Sequence, residues 1–416
     1  MSKVVIITLG CKQNKYESDC MARILEEAGY EVSEKMSPAD IYIINSCAVT
    51  AEGEKKSRQY ISKCNALNPN CKIIVCGCAG ENNIEQFAGK ENVYSVFGTE
   101  GKENILRYIN ESIFENIEIP KKYCSINSPF KTTTRENLKI QDGCNNFCSY
   151  CLIPYLRGRS RSRDLQEIID EANRMAERSR EIVLTGIDIS SYEINGEKAL
   201  DKLMAELSKV PALISLGSLE VGVVDRGFME VLKTMPNFSP HFHLSLQSGD
   251  DSVLKRMNRH YTAEQYFEKL KLIREYFPLA NITTDVIVGF AGESEKEFNN
   301  TLEFVRKCEF AYVHIFPYSK RKGTRSYNLP DLPNDIKKYR VNTLDEVART
   351  SREKFLKLFV GKESTLLVEE KKGGFYEGFS REYIRCYCNE DLQEGVYYNV
   401  KFERLYADGM IVSISN

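Results

Sequence analysis

A chain of 416 residues, 42% hydrophobic and 28% charged, is too long for one small core and has the composition of a globular protein with two or three domains. Its 57 basic and 59 acidic side chains nearly cancel, so any nucleic-acid binding has to rest on local basic patches. No run approaches the roughly 20 apolar residues of a membrane span, and the apolar start lacks a signal peptide's cleavage region. The expectation is a cytoplasmic protein with no membrane association.

Residues 4–9, 41–44 and 72–76 read as buried strands, and 14–28 and 50–67 as helices. A further strand at 93–98 and a helix at 102–110 complete a parallel, doubly wound sheet. These elements make an N-terminal domain over residues 1–112, followed by a polar, aperiodic linker at 113–134. From 135 to 359 the alternation restarts. Strands at 138–141, 181–185, 214–219, 241–246, 283–288 and 312–316 alternate with helices at 164–178, 197–208, 227–233, 263–275 and 294–307, the cadence of a partial (β/α)6 barrel. A charged helix at 335–358 follows. Residues 360–416 carry short β-branched and aromatic runs at 364–369, 375–379, 383–388, 397–403 and 410–414, the pattern of a small all-β barrel.

Fourteen cysteines in a long chain without export signals point to metal ligands or reactive thiols rather than a disulfide scaffold. The four histidines, His241, His243, His260 and His314, share no short spacing with the cysteine groups, and thiolate-only ligation favours iron–sulfur over mixed zinc. Cys144, Cys148 and Cys151 form C-x-x-x-C-x-x-C just past the first barrel strand. Three thiolates bind three irons of a [4Fe–4S] cube and leave the fourth open to a substrate's amino and carboxylate groups. The competing reading is a zinc knuckle, which wants a fourth ligand close by.

Cys11, Cys47 and Cys78 each follow a predicted parallel strand, at the sheet edge where open α/β folds place their sites. They form a second candidate triad. Cys76 points the same way as Cys78 by strand parity, and spacing does not choose between them. Cys20, Cys64 and Cys71 read as core residues.

Taken together, the motifs resemble the radical-SAM methylthiotransferases along essentially the whole chain. Residues 8–18 (TLGCKQNKYES), 45–50 (NSCAVT) and 77–79 (GCA) look like the three N-terminal family motifs, and the third selects Cys78. Tyr150, Pro154 and Tyr155 match the central motif. The resemblance implies two [4Fe–4S] clusters, S-adenosylmethionine (SAM) as cofactor, and a C-terminal TRAM domain. It also implies a SAM pocket lined by Tyr150, Gly186, Ser245, Gln247 and Gly289; a strand-end turn is the plainer account of the two glycines. Val221 and Ala291 depart from the family, standing where its members usually carry proline. Gly10-Cys11-Lys12, residues 47–52 and the run 157–163 look most like the tRNA threonylcarbamoyladenosine subfamily, implying methylthiolation at C2 of the modified adenosine 37. Relatives acting on isopentenyl-adenosine in tRNA or on a ribosomal-protein aspartate are the alternatives, and a non-catalytic iron–sulfur or zinc RNA-binding protein is a remote one.

The implied partners are a tRNA anticodon stem-loop, an electron donor such as flavodoxin or ferredoxin, and a sulfur source. Arg157, Arg159, Arg161 and Arg163 are candidate phosphate contacts, with a solvated basic turn as the plainer reading. Lys320, Arg321, Lys322 and Arg325 form a second patch. Phe375, Tyr376, Phe379, Tyr383, Tyr387, Tyr397, Tyr398 and Phe402 are candidates for stacking on bases or for the core.

Overall fold

The computed structural model describes residues 2–126 and 134–415, arranged as two compact units. In the first, β1 (Lys3–Thr8), β2 (Glu31–Ser33), β3 (Ile41–Ser46), β4 (Lys72–Gly77), β5 (Val93–Phe97) and β6 (Phe114–Glu115) form one parallel sheet in the order β2-β1-β3-β4-β5-β6. The isoleucine-rich β3 is buried at all six positions, because apolar cores cover both faces of the sheet. Helices α1 (Lys12–Glu27), α2 (Ala51–Leu67), α3 (Cys78–Asn82) and α4 (Ile105–Asn110) connect the strands. Thr50 accepts the Gly53 N–H and so starts α2.

The structure adds three details to this organisation. β6 lies inside the segment read as linker: two residues suffice because they pair onto β5 at Val96 and Phe97. The rest of that linker includes 127–133, outside the described residues. The helix expected at 102–110 is a 3-10 turn at Lys102–Asn104 leading into α4. Most consequentially, Lys139–Arg163 and Ser319–Tyr327, within the stretch that sequence order groups with the barrel, pack with the first unit. Their side chains explain it. Leu152 and Leu156 pack into the core that holds Ile44, Val75 and Cys78; Ser326 N–H donates to Ser149 O at 2.8 Å; Arg321 pairs with Glu54 at 2.8 Å.

The second unit carries the strand–helix succession. Arg135–Lys139, Glu181–Thr185 and Leu213–Leu216 form one sheet; Ser218–Leu219, His241–Leu244, Asn281–Val288 and Tyr312–Pro317 form the next. The third predicted strand breaks at Gly217, where a Cβ would stand 2.6 Å from Leu184 O, so its two pieces pair with different neighbours. The helix expected from 197 begins at Leu200, because 197–198 pair in a short hairpin with 193–194. Ser294 and Thr262 open their helices with capping boxes closed by Glu297 and Gln265.

After the helix Asn334–Lys357, the strands Glu363–Lys372, Phe375–Ser380, Arg385–Cys388, Tyr397–Tyr406 and Gly409–Ile414 close into a five-stranded barrel. Phe355, Leu356 and Phe359 share its core with Leu366, Val400 and Phe402. Arg135 ties this barrel to the first strand of the unit. It pairs with Glu181 and Glu369, each at 2.8 Å, and lies over the rings of Phe379 and Tyr383. Removing one partner of a buried pair leaves a charge uncompensated. Arg135→Ala is therefore expected to destabilise the second unit by about 3 kcal/mol, read as a lowered calorimetric midpoint with the first unit's transition unchanged.

Candidate functional site

Because β1, β3 and β4 are adjacent in the sheet, the residues that follow their C-terminal ends are neighbours, and these are Cys11, Cys47 and Cys78. Each lies within electrostatic reach of the other two. The backbone makes this possible at two glycines. Gly10 has φ +99° and a Cβ there would lie 2.9 Å from both Cβ and Sγ of Cys47. Gly77, at φ +88°, turns the chain from β4 into α3, with Asn45 Oδ1 where its Cβ would be.

That turn also separates the two cysteines that strand parity left equivalent. Cys76 is buried among Val4, Ile6, Met21 and Phe97 on one face of the sheet. Cys78 packs on the opposite face with Ile44, Val75 and Ala79. Parity fails because the strand ends at Gly77.

Hydrogen bonds from motif residues bind the three loops together. Asn14 donates to Leu9 O at 2.7 Å and to Ser46 O at 3.0 Å. Asn45 donates to Asn14 O and to Ser18 Oγ, which also receives the Thr8 hydroxyl. Ser46 Oγ accepts from Ala79 and Gly80 N–H, capping α3 directly behind Cys78. The N-terminal motifs are thus legible as a scaffold for three thiols.

Burial pushes the Cys47 thiol up to about 11 and raises Cys78, while the Arg157 cation pulls both back. Arg157 therefore stands within electrostatic reach of Cys78. Its guanidinium is wholly buried and forks onto Glu17 at 2.8 and 3.1 Å. It further donates to Asn14 Oδ1 at 2.8 Å and to Asp142 at 3.2 Å. Lys139 bridges Glu17 and Asp142, and Lys102 pairs with Glu17 at 2.8 Å. Burial alone would raise the Glu17 carboxyl; Arg157, Lys102 and Lys139 together hold it well below the usual carboxylate range.

Cys144, Cys148 and Cys151 are half-buried on one loop of the same unit. The loop is laced to the segment that follows it: Cys144 N–H donates to Gly158 O, and Ser160 N–H to Asn145 Oδ1. Gly143, at φ +71°, leaves no room for a Cβ beside Arg159 O. Asn146 N–H points at Cys144 Sγ, 3.4 Å away, a donor suited to a thiolate. Both donor sets are thiols with nitrogen donors beside them and no histidine or carboxylate ligand in their motifs, which fits iron–sulfur ligation.

The arginine run is mostly not a surface. Arg157, Arg161 and Arg163 are buried; Arg161 pairs with Glu100 at 3.0 Å, and Arg163 donates to Lys139 O. They were expected on phosphates because the alternation with Gly and Ser looks like an open turn. The structure instead turns Arg157 and Arg161 onto buried carboxylates and Arg163 onto a backbone carbonyl. Arg159 alone of the four is exposed, over the Phe147 ring. In the second patch Arg321 is buried against Glu54, leaving Lys320, Lys322 and Arg325 exposed. In the tail, Phe402 and Tyr387 are buried, Phe379 and Tyr383 stack on one another, and Tyr397 donates to Arg180 O, so packing accounts for these.

Of the SAM-pocket candidates, Tyr150 belongs to the first unit and the others to the second. Gly186 and Ser245 directly follow strands. Gln247, at φ +69°, joins the strand Asn281–Val288 through Asp285 O and Ile287 N. Gly289 is buried with Lys337 Cγ 2.6 Å from where its Cβ would be, so close packing and φ +67° account for this glycine. Sequence reading missed one cluster. His243, Asp285 and His314 project from three adjacent strands of the second unit with their ligand atoms within 4.8 Å of one another. They are 42 and 29 residues apart in sequence, so only strand register reveals them.

Gly10→Ala is expected to displace Cys47 and lower the iron bound after anaerobic reconstitution to about half, as one of two cubes is lost. Iron and sulfide per chain would measure it.

Comparison with known proteins identifies the family. The model of the Radical SAM superfamily matches residues 138–305, and that of the Uncharacterized protein family UPF0004 matches residues 3–98. The threonylcarbamoyladenosine tRNA methylthiotransferase MtaB of Aquifex aeolicus is 37% identical, over 89% of this chain and 93% of that protein. Its namesake in Thermotoga maritima is 36% identical over 99% and 96%. Among solved structures, the radical S-adenosylmethionine methyltransferase TsrM from Kitasatospora setae shares the fold, with a TM-score of 0.55 at 13% identity, covering 79% of this chain and 77% of that one. Identity at this level across nearly the full length of both partners places the chain in the radical-SAM methylthiotransferase family.

Proposed function

We propose that the chain adds a methylthio group to C2 of N6-threonylcarbamoyladenosine at position 37 of tRNA, using SAM and two [4Fe–4S] clusters. The observation that carries this reading is the full-length identity to the threonylcarbamoyladenosine enzymes. The convergence of Cys11, Cys47 and Cys78, and their membership of one compact unit with Cys144, Cys148 and Cys151, supports it.

An aromatic C–H is too inert for polar attack by sulfur. When bound, a cluster with one open iron supplies the electron that splits SAM at the central triad, and an iron to carry sulfur at the other. The chain's own part is to hold and orient. Cys144, Cys148 and Cys151 are the proposed ligands of the first cluster, with Asn146 N–H donating to a ligand sulfur. Cys11, Cys47 and Cys78 are those of the second, with Arg157 beside Cys78. Gly186, Ser245, Gln247 and Tyr150 remain the proposed SAM contacts. The closed C-terminal barrel is read as TRAM-like, and Arg159, Lys320, Lys322 and Arg325 as the exposed cations for the tRNA backbone. An external one-electron donor and a sulfur source complete the reaction, in the cytoplasm.

Mass spectrometry of digested tRNA from a strain lacking the gene tests the reading, which requires loss of the methylthio form of threonylcarbamoyladenosine. Loss of the isopentenyl form, or an unchanged nucleoside profile, would refute it. In anaerobic assays Cys144→Ala is expected to abolish SAM cleavage. Cys11→Ala is expected to retain cleavage and stop methylthio transfer. Arg159→Ala should weaken tRNA binding without altering SAM cleavage, and reduce the slope of log affinity against log salt by about 1.

A further inference from the structure

Arg157 carries a buried charge from the central cysteine loop to the supports of the auxiliary cysteine triad. It stands six residues past Cys151, and its guanidinium meets Glu17 and Asn14 of α1, the helix that Cys11 opens. It is fully buried, and its Nε–H finds no partner among the described residues even though both terminal nitrogens are engaged. The ion network around it is lopsided. Among the described residues, Arg157, Arg161, Lys102 and Lys139 are linked by contacts under 4 Å to Glu17, Asp142 and Glu100: four cations to three carboxylates. A buried excess of positive charge is costly unless an anion answers it, and a thiolate-ligated cube is such an anion.

We propose that Arg157 is a positioning residue for the auxiliary cluster: its unpartnered Nε–H donates to a ligand sulfur of that cluster, and its charge raises the cluster's reduction potential. The inference rests on the reading that Cys11, Cys47 and Cys78 hold that cluster. Its physical basis is general. Reduction adds a negative charge to the cluster, and a fixed N–H donor and an adjacent cation stabilise the reduced form more than the oxidised one. A guanidinium suits the place better than an ammonium, because its planar fork holds a carboxylate bidentately while a further N–H stays free for sulfur.

The test uses the full chain with Cys144, Cys148 and Cys151 all replaced by alanine, so that only the auxiliary cluster reports. Anaerobically reconstituted, this background should hold about four irons per chain, one cube. No iron at all would refute the auxiliary site itself, separately from the role of Arg157. With the cluster present, Arg157→Gln and Arg157→Lys are compared by near-UV circular dichroism, iron content, redox titration and electron paramagnetic resonance of the reduced cluster. The glutamine variant is expected to titrate at a more negative potential, with an altered spectrum, or to lose iron while its circular dichroism is retained. The lysine variant should fall between it and the parent. Unchanged potential and spectrum in a folded variant with four irons would overturn the proposal. So would loss of native circular dichroism in both variants, since Arg157 would then be a structural strut only.

Discussion

The fork of Arg157 on Glu17 joins two stretches of chain that sequence keeps 140 residues apart, and it does so with no solvent to weaken or replace it. Buried charges of this kind are tolerable only as a complete set. Removing water from a single carboxylate costs several kcal/mol, and the return comes from close, well-directed partners. Glu17 has three such partners, and Asp142 shares two of them. The set therefore specifies position more than it adds stability. α1 is fixed relative to the loop that carries Cys144, Cys148 and Cys151, and with it the N-terminus from which Cys11 projects.

Around this anchor the parallel sheet does the arranging. Three adjacent strands end at one edge, and the chain leaves two of them through a glycine at positive φ. Asn14, Ser18, Asn45 and Ser46 then spend their hydrogen-bonding groups on one another's loops rather than on water. Side chains that look like catalytic polar groups in the motif are in this sense masonry. The chemistry is left to sulfur.

How much of this was readable beforehand depends on the range of the interaction. Strand and helix positions follow from local apolar periodicity, and the C-terminal barrel from its even spacing of β-branched runs, so both were legible. Cys11, Cys47 and Cys78 could be singled out because each follows a strand, and Cys144, Cys148 and Cys151 because of their close spacing. The arginines were not. Nothing in the alternation at 157–163 says that Glu17, Asp142 and Glu100 will meet it, since those partners come from distant segments. The exit of Lys139–Arg163 from the barrel's sequence neighbourhood was hidden for the same reason: Leu152 and Leu156 look like any short helix's apolar side until Ile44 and Val75 are placed against them. The His243, Asp285 and His314 grouping needs register, which no spacing rule supplies across intervening helices.

The composition of the first unit has a consequence for biosynthesis. Its pieces are separated in the gene by the whole of the second unit's strand–helix succession, and the Glu54–Arg321 pair closes over 267 residues. A ribosome delivers the chain from the N-terminus at roughly 5–20 residues per second, so the parallel sheet emerges long before the segments that finish its packing. For roughly tens of seconds at those rates, Cys11, Cys47 and Cys78 have been made while Arg321 and Ser326, which pair with Glu54 and Ser149, have not.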